Sequence, residues 1–242
     1  MSGHSKWATI KRQKGAADIK KGQVFTKIAN AITIAVRNGG GITDPENNFR
    51  LRLAIEKARE ANMPKENIER AIARATGADA KSIEQVIYEG FLPGGVSVII
   101  EAATDNLQRT TTEIKNLFRS VGGGFGQPGS VSYQFKQIGQ IVVKKEGKSL
   151  DEIFNQAAEC GAEDLEEREE EAIIYTDYKD ATKTRDKLRE KGFKIAGIEI
   201  IRKPSIAVSV DNEEKRNKTI EFIQKLEELD DVQKIYTNLE DH

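Results

Sequence analysis

The chain has 242 residues, of which 38% are hydrophobic and 32% are charged, and its net charge is −1. This composition is typical of a folded globular protein, and it lacks both the ~18 consecutive apolar residues of a membrane span and the apolar run of a secretory signal, so we expect a cytoplasmic protein without membrane contact. Cys160 is the only cysteine, and His4 and His242 are the only histidines. We therefore expect no disulfide, no metal site of the Cys/His kind and no cofactor.

The charge is unevenly distributed along the chain. Residues 1–76 contain 15 Lys and Arg against 7 Asp and Glu, whereas residues 77–242 contain 23 against 32. The N-terminal segment therefore has a net charge of +8 and the remainder a net charge of −9. Such a local excess favours phosphate-rich partners, because binding releases the counterions of a polyanion.

The N-terminal segment predicts three helices. Apolar residues between Val24 and Val36 recur at the spacing of an amphipathic helix. Asp44 as N-cap and Pro45 at the first helical position predict the start of a second helix, and Pro64 predicts the start of a third. Together they predict a basic helical domain.

From about residue 83 the apolar pattern has a period of two, which indicates strands. The predicted elements up to residue 136 are a strand around 96–102, a helix from Asp105 to about Val121, a glycine-rich loop at 122–129, and a strand containing Val131, Tyr133 and Phe135.

Residues 140–203 predict the order strand, helix, strand, strand, helix, strand, which is that of a ferredoxin-like α+β sandwich. A strand containing Ile206, Val208 and Val210, a helix and a short strand near 232–236 follow. We therefore expect an α+β protein.

Several motifs resemble catalytic, nucleotide-binding or metal-binding patterns but do not predict such a site. Residues 124–129 match the glycine pattern of dinucleotide sites, but they follow a helix and precede a strand, so they offer no helix N-terminus to a pyrophosphate. Seven acids within 163–171 have oxygen ligands suited to Mg²⁺, although an exposed charge run is usually solvated. With two poorly placed histidines and Cys160 expected to be a small semi-buried residue, we expect no enzyme.

The clearest functional signal is the segment 1–27, which combines seven cations with one acid and the only tryptophan of the chain. Cations contact phosphates and an aromatic ring stacks on a base, so this segment is a candidate nucleic-acid contact. The alternative is an ordinary basic surface with a buried tryptophan. The candidate residues are Lys6, Trp7, Lys11, Arg12, Lys14, Lys20, Lys21 and Lys27.

Short motifs are spread over most of the chain. They are Gly3-His4-Ser5-Lys6-Trp7, Phe25-Thr26-Lys27, Asn62-Met63-Pro64-Lys65, Asn67-Ile68-Glu69-Arg70-Ala71-Ile72, Tyr88-Glu89-Gly90, Pro93-Gly94-Gly95-Val96, Thr104-Asp105-Asn106, Arg109-Thr110 and Gly129-Ser130-Val131. This set of motifs resembles that of the YebC/PmpR family, which includes the mitochondrial translational activator of cytochrome c oxidase.

The resemblance implies three domains, with the third inserted into the second, and both of the latter of the α+β (ferredoxin-like sandwich) type. The corresponding boundaries are 1–76, 77–136 together with 205–242, and 137–204. It adds His4 to the nucleic-acid contacts, and it implies secondary contacts at Pro93, Gly94, Gly95, Asp105, Asn106 and Arg109. A tight turn, a helix cap at Asp105 and an Asp105–Arg109 pair explain these secondary residues equally well.

The resemblance implies a non-enzymatic regulator of gene expression. One hypothesis is a transcriptional regulator that binds DNA, although residues 49–76 show no clear recognition helix. The alternative is a ribosome-associated translation factor that binds ribosomal or transfer RNA and assists the synthesis of consecutive-proline sequences. A third is a small-molecule sensor that binds its ligand in the ferredoxin-like domain.

Overall fold

The structure is a computed structural model that describes residues 17–77 and 83–240, with the backbone only for residues 17–21. The described chain forms two compact units. Residues 134–206 form one unit, and the segments before and after them form the other. The predicted α+β class is confirmed, since the described residues contain seven α-helices and two four-stranded antiparallel sheets. No described helix has the length and apolarity that a membrane span requires.

The basic segment contains three helices packed on one another. They are α1 (Ala17–Asn38), α2 (Phe49–Glu60) and α3 (Lys65–Thr76). Their apolar stripes face inward and form a common core, as the spacing predicts. The buried residues of this core are Ile28, Ile32, Ala35, Val36, Leu51, Ile55, Ala58, Met63, Ile68 and Ala71.

Helix α2 begins four residues after the predicted first position, so the prediction that Asp44 is its N-cap is wrong. The cap is Asn48, whose side chain accepts a hydrogen bond from the N–H of Leu51 at 3.1 Å. Its amide group also donates to the carbonyls of Ala35 at 3.0 Å and Ile42 at 2.9 Å. Asp44 instead closes the preceding turn. The start of the helix therefore depends on contacts with α1 and the loop after it, and the sequence around residue 44 does not show these contacts.

The first sheet has the strand order β3-β1-β2-β8. Its strands are β1 (Glu84–Leu92), β2 (Val96–Thr104), β3 (Gly124–Phe125) and β8 (Val232–Thr237). Helices α4 (Leu107–Ser120) and α7 (Glu213–Glu227) pack on it around two fully buried rings, Phe118 and Phe222, whose centroids are 4.7 Å apart.

Three local predictions near this sheet are wrong. Helix α4 is capped by Asn106 and not by Asp105. The predicted strand through Val131 and Tyr133 is a turn followed by a single 3-10 turn, Ser132–Gln134. The predicted strand at 206–210 is reduced to one bridge, between Val208 and Leu239. In each case the backbone N–H groups have a partner that the local pattern does not show. The side chain of Asn106 accepts the N–H of Arg109, the side chain of Glu89 accepts that of Val131, and Val208 pairs with the distant Leu239.

The elements of the unit 134–206 are β4 (Phe135–Lys144), α5 (Leu150–Cys160), β5 (Asp164–Glu167), β6 (Glu171–Asp177), α6 (Ala181–Glu190) and β7 (Ile195–Pro204). Its strand order is β5-β6-β4-β7, and its element order is the predicted βαββαβ of a ferredoxin-like sandwich. Helix α5 starts with a capping box between Ser149 and Glu152 and ends at Gly161 in the left-handed conformation.

The acidic run 163–171 lies on β5, on the turn after it and at the start of β6. Glu163 pairs with Lys136 at 3.3 Å, and Glu167 pairs with Lys145 at 2.8 Å. Within residues 17–77 and 83–240, no group of three acids, histidines or cysteines is arranged to hold a metal ion. The run is therefore part of the surface ion pairs of its own unit.

Candidate functional site

The predicted nucleic-acid contacts lie at the N-terminal end of the chain. His4, Lys6, Trp7, Lys11, Arg12 and Lys14 fall outside the described residues. Lys20 and Lys21 belong to α1, but their side chains are not described. Lys27 is described, and its ammonium group donates a hydrogen bond to the carbonyl of Glu227, at the C-terminal end of α7, at 2.6 Å.

The secondary candidates around residue 105 form a network centred on Asp231. The guanidinium of Arg109 donates to Asp105 at 3.1 Å and to Asp231 at 2.8 Å. The hydroxyl groups of Thr110 and Thr104 donate to the same Asp231 oxygen at 2.6 and 3.0 Å. Three motif residues, Thr104, Arg109 and Thr110, thus meet at one carboxylate in the turn that precedes β8.

This network assigns a structural role to Arg109. Burial raises the pKa of the Asp231 carboxyl, but hydrogen bonds from Thr110, Arg109 and Thr104 hold that pKa below its ordinary value. Asp231 is therefore a carboxylate, and together with Asp105 it neutralises the Arg109 charge. A guanidinium with two carboxylate partners has little charge left to attract a phosphate.

Pro93, Gly94 and Gly95 form the tight turn between β1 and β2. Gly94 has a φ of +100° and Gly95 a φ of +81°, a region in which glycine avoids the steric cost of a side chain. A Cβ atom at Gly94 would also lie 3.1 Å from Val210. Backbone geometry accounts for this motif.

The motifs around residues 89 and 130 meet at a buried carboxylate that the sequence did not single out. Glu89 accepts hydrogen bonds from the backbone N–H groups of Gly129 at 2.8 Å, Val131 at 2.7 Å and Ser132 at 2.9 Å. Burial raises the pKa of the Glu89 carboxyl, but these three bonds hold it below its ordinary value. Glu89 thereby holds the glycine-rich loop in place.

A groove of about 540 Å³ lies on the helical segment, between α1 and α3. Its apolar surface comes from half-buried and buried side chains, and its polar edge carries two arginines. The lining residues are Phe25, Thr26, Ala29, Met63, Asn67, Arg70, Ala71 and Arg74. Six of them belong to motifs of the family resemblance, namely Phe25, Thr26, Met63, Asn67, Arg70 and Ala71.

Within the described part of the chain, the two arginines of this groove have amide and hydroxyl partners and no carboxylate partner. Arg70 donates to the side-chain oxygen of Asn67 at 2.6 Å. Arg74 donates to the side-chain oxygen of the buried Asn30 at 2.8 Å and to Thr33 at 3.3 Å. Such partners orient a guanidinium without cancelling its charge, so Arg70 and Arg74 keep more positive charge than Arg109 does.

A larger cleft of about 700 Å³ lies beside the groove and shares Thr26 and Arg74 with it. Its other charged residues are Arg109 and five acids, namely Asp105, Glu113, Glu228, Asp230 and Asp231. This excess of negative charge does not fit a polyanion. Of these two cavities, the groove beside α1 and α3 therefore has the more positive lining.

The sequence contains a signal for Arg70 and Arg74, since they are four residues apart and so lie on one helix face. Glu66 and Glu69 in the same helix hide that signal, because a mixed charge pattern is typical of an ordinary solvent-exposed helix. That α3 lies beside Phe25 and Asn30 is a property of the fold.

Known proteins share this architecture. The model of the TACO1/YebC N-terminal domain matches residues 5–78, and that of the TACO1/YebC second and third domains matches residues 83–239. A "Probable transcriptional regulatory protein" of Dictyoglomus turgidum is 46% identical over 242 residues, which are 99% of this chain and 96% of that protein. A protein of the same name from Thermomicrobium roseum is 45% identical and covers 98% of this chain and 96% of its own length.

A crystal structure of a conserved hypothetical protein from Aquifex aeolicus superposes with a TM-score of 0.86 at 43% identity, over 98% of this chain and 97% of that one. Sequence and structure thus match relatives over nearly the whole length. The chain belongs to the TACO1/YebC family.

Proposed function

We propose that the protein is a non-enzymatic, nucleic-acid-binding regulator of gene expression, which contacts its target through residues 1–27 and the groove side of α1 and α3. The observation that carries the proposal is the pair Arg70 and Arg74, two oriented guanidinium groups without a carboxylate partner among the described residues. They lie in the segment that has the positive charge excess.

The first proposed target is DNA, and the support comes from the relatives, which are named probable transcriptional regulatory proteins. Lysines of the N-terminal segment would supply the phosphate contacts. Most protein–DNA hydrogen bonds go to the backbone, so a basic segment gives affinity without a recognition helix.

The second proposed target is ribosomal RNA, in the role of a translation factor. The groove favours this target, because an open apolar surface next to cations accommodates unpaired bases, which RNA exposes in loops and bulges. In either role, we propose the three domains 1–76, 77–136 with 205–242, and 137–204 as the functional parts of the chain.

Binding measured against salt concentration tests the proposal. The variant with Lys6, Lys11, Arg12 and Lys14 all changed to Ala should bind duplex DNA or ribosomes more weakly, and its log–log salt slope should decrease by up to about 4. The matched control changes Lys179, Lys183, Lys187 and Arg189 of the other unit to Ala, which removes the same charge.

A footprint on a defined promoter that survives excess nonspecific DNA would favour the DNA target, and co-sedimentation with ribosomes would favour the RNA target. Binding that is insensitive to salt, or equally weakened by both sets of substitutions, would contradict the proposed contact surface.

A further inference from the structure

We infer that Asn30 is a positioning residue of the nucleic-acid contact. It holds the guanidinium of Arg74 ready for a backbone phosphate and away from the acids of the larger cleft, and it does not touch the nucleic acid itself. The inference rests on the proposed nucleic-acid-binding function and deepens it, because it names the residue on which one phosphate contact depends. Asn30 lies outside the motifs of the family resemblance.

Arg74 lies between two cavities of opposite charge. It lines the groove between α1 and α3, in which Arg70 is the other charged residue, and it also lines the cleft that contains five acids. Arg74 is exposed, and Coulomb attraction favours the rotamers that would pair it with a carboxylate of this cleft. Its partners within residues 17–77 and 83–240 are nevertheless Asn30 and Thr33, and neither is charged.

These two partners form a buried anchor on α1. The side-chain oxygen of Asn30, a residue that is 7% exposed, accepts a hydrogen bond from Nη2 of Arg74 at 2.8 Å. The hydroxyl oxygen of Thr33 accepts from the same Nη2 at 3.3 Å, and the hydroxyl donates to the carbonyls of Ala29 at 2.9 Å and Ala71 at 3.1 Å. Packing leaves such buried side chains few other rotamers, so they fix one end of an exposed guanidinium.

An amide suits position 30 because it is neutral. Asn30 and Thr33 take the donors of Nη2 and leave those of Nη1 and Nε for a ligand. A carboxylate at the same place would make the same hydrogen bond but would also cancel the positive charge, as Asp105 and Asp231 do for Arg109. The amide therefore orders Arg74 before binding, which lowers the entropic cost of the contact, and leaves its charge to the phosphate.

The experiment changes the charge of this anchor in the full-length protein. Asn30→Asp keeps the shape of the side chain and gives Arg74 a carboxylate partner. The matched control Asn38→Asp makes the same change of charge at an exposed position of the same helix. Arg74→Gln removes the contact itself. Fluorescence anisotropy over a range of salt concentrations measures the binding of a DNA duplex and of an RNA hairpin with the same number of phosphates.

Asn30→Asp and Arg74→Gln should each weaken binding about 10-fold, and each should lower the log–log salt slope for the duplex by about 0.9, the value for one phosphate. Asn38→Asp should weaken binding about 3-fold or less and leave the slope nearly unchanged. In a protein that already carries Arg74→Gln, Asn30→Asp should weaken binding no more than Asn38→Asp does. A role in stability alone would neither change the salt slope nor depend on Arg74.

Nuclear magnetic resonance of the wild type gives a second test that does not depend on the folding of a variant. Two hydrogen bonds to Nη2 restrict rotation of the Arg74 guanidinium, so its Nη signals should be resolved in the absence of a ligand. The Nη signals of Arg50, which is exposed on α2, should be averaged by free rotation. Averaged Nη signals for Arg74 would overturn the positioning role.

Equal losses for Asn30→Asp and Asn38→Asp, or an effect of Asn30→Asp that persists without Arg74, would also overturn it. A larger Asn30→Asp loss on the duplex supports the role with a DNA phosphate, and a larger loss on the hairpin supports it with an RNA phosphate. If Arg74→Gln has no effect but the four substitutions within residues 6–14 weaken binding, the positioning role fails and the proposed function stands. If the wild type binds neither probe at any salt concentration, the proposed function fails as well.

Discussion

The carboxylate of Glu89, in the middle of β1, accepts a hydrogen bond from the backbone N–H of Val131 at 2.7 Å, although the two residues are 42 positions apart in the sequence. Glu89 is only 5% exposed, and Val131 is fully buried. The two family motifs that contain these residues are therefore two halves of one contact, in which a side chain of the sheet replaces the hydrogen bonds that a strand partner would give to the loop.

Replacing Glu89 by Gln should lower the free energy of unfolding by about 2 kcal/mol. A neutral amide offers one oxygen, and its NH₂ group faces backbone donors, so at least one buried N–H loses its partner. Urea unfolding measures the change. The control is Glu84→Gln at the exposed start of the same strand, for which we expect a change of about 0.5 kcal/mol or less. Equal effects of the two substitutions would contradict the role of Glu89.

The stability of the protein should decrease in acid, and Glu89 should account for part of that decrease. Its pKa in the folded protein is below the ordinary 4.5, so its contribution is fully present above about pH 4.5 and is lost as the pH falls through the folded-state pKa. Asp231, whose pKa is also lowered, acts in the same direction below about pH 3.8. Unfolding curves measured from neutral pH to below about pH 4.5 should show a shallower loss of stability at the acidic end for Glu89→Gln than for the wild type. A parallel pH dependence would show that Glu89 titrates normally.

Substitution of alanine for two glycines should have opposite effects. A Cβ atom at Gly90 would lie 2.5 Å from the ring of Phe118 and 2.6 Å from the carbonyl oxygen of Gly124, so Gly90→Ala should destabilise the protein by about 2 kcal/mol. Gly22 lies inside α1 with open space around it, so Gly22→Ala should stabilise the protein by about 0.5–1 kcal/mol. Thermal unfolding of the two variants provides the comparison, and a loss of stability for Gly22→Ala would show that this position has a further contact.

Arg109→Gln and Arg70→Gln should separate stability from binding. Loss of Arg109 leaves Asp231 with one charged partner fewer and should reduce the free energy of unfolding by about 1 kcal/mol, with nucleic-acid affinity nearly unchanged. Arg70→Gln removes a hydrogen bond to the partly exposed Asn67, so it should leave the stability within about 0.5 kcal/mol and weaken nucleic-acid binding. Chemical unfolding and anisotropy titration on both variants test this, and the reverse pattern would assign the phosphate contact to Arg109.

Much of the architecture follows from local sequence patterns. The period-two segments, the start of α3 after Pro64 and the βαββαβ order of residues 135–204 all depend on spacing and on turn residues near them. The alternation of Val131, Tyr133 and Phe135 gave a wrong strand, because this local pattern does not show that Glu89 accepts the N–H groups of Val131 and Ser132. The cap of α2 was misplaced for the same reason, since Asn48 is selected by carbonyls of α1 and its following loop.

The candidate site was predictable only in its general position. Composition indicated the basic segment, and Lys27 lies on the helix that the spacing of apolar residues predicted. The roles of the arginines were not predictable, because Arg70, Arg74 and Arg109 occupy similar positions on amphipathic helices. They differ in their neighbours, which are amides for the first two and carboxylates for the third.

The strand order of the first sheet has a consequence for synthesis of the chain on the ribosome. Strand β2 pairs with β8, so that Val98 lies opposite Thr237, whereas all strands of the unit 134–206 emerge before β8. The inserted unit can therefore fold during translation while one edge of β2 still has open backbone groups. Such an edge is a target for aggregation, and nascent chains stalled before residue 232 should need chaperone protection more than released ones.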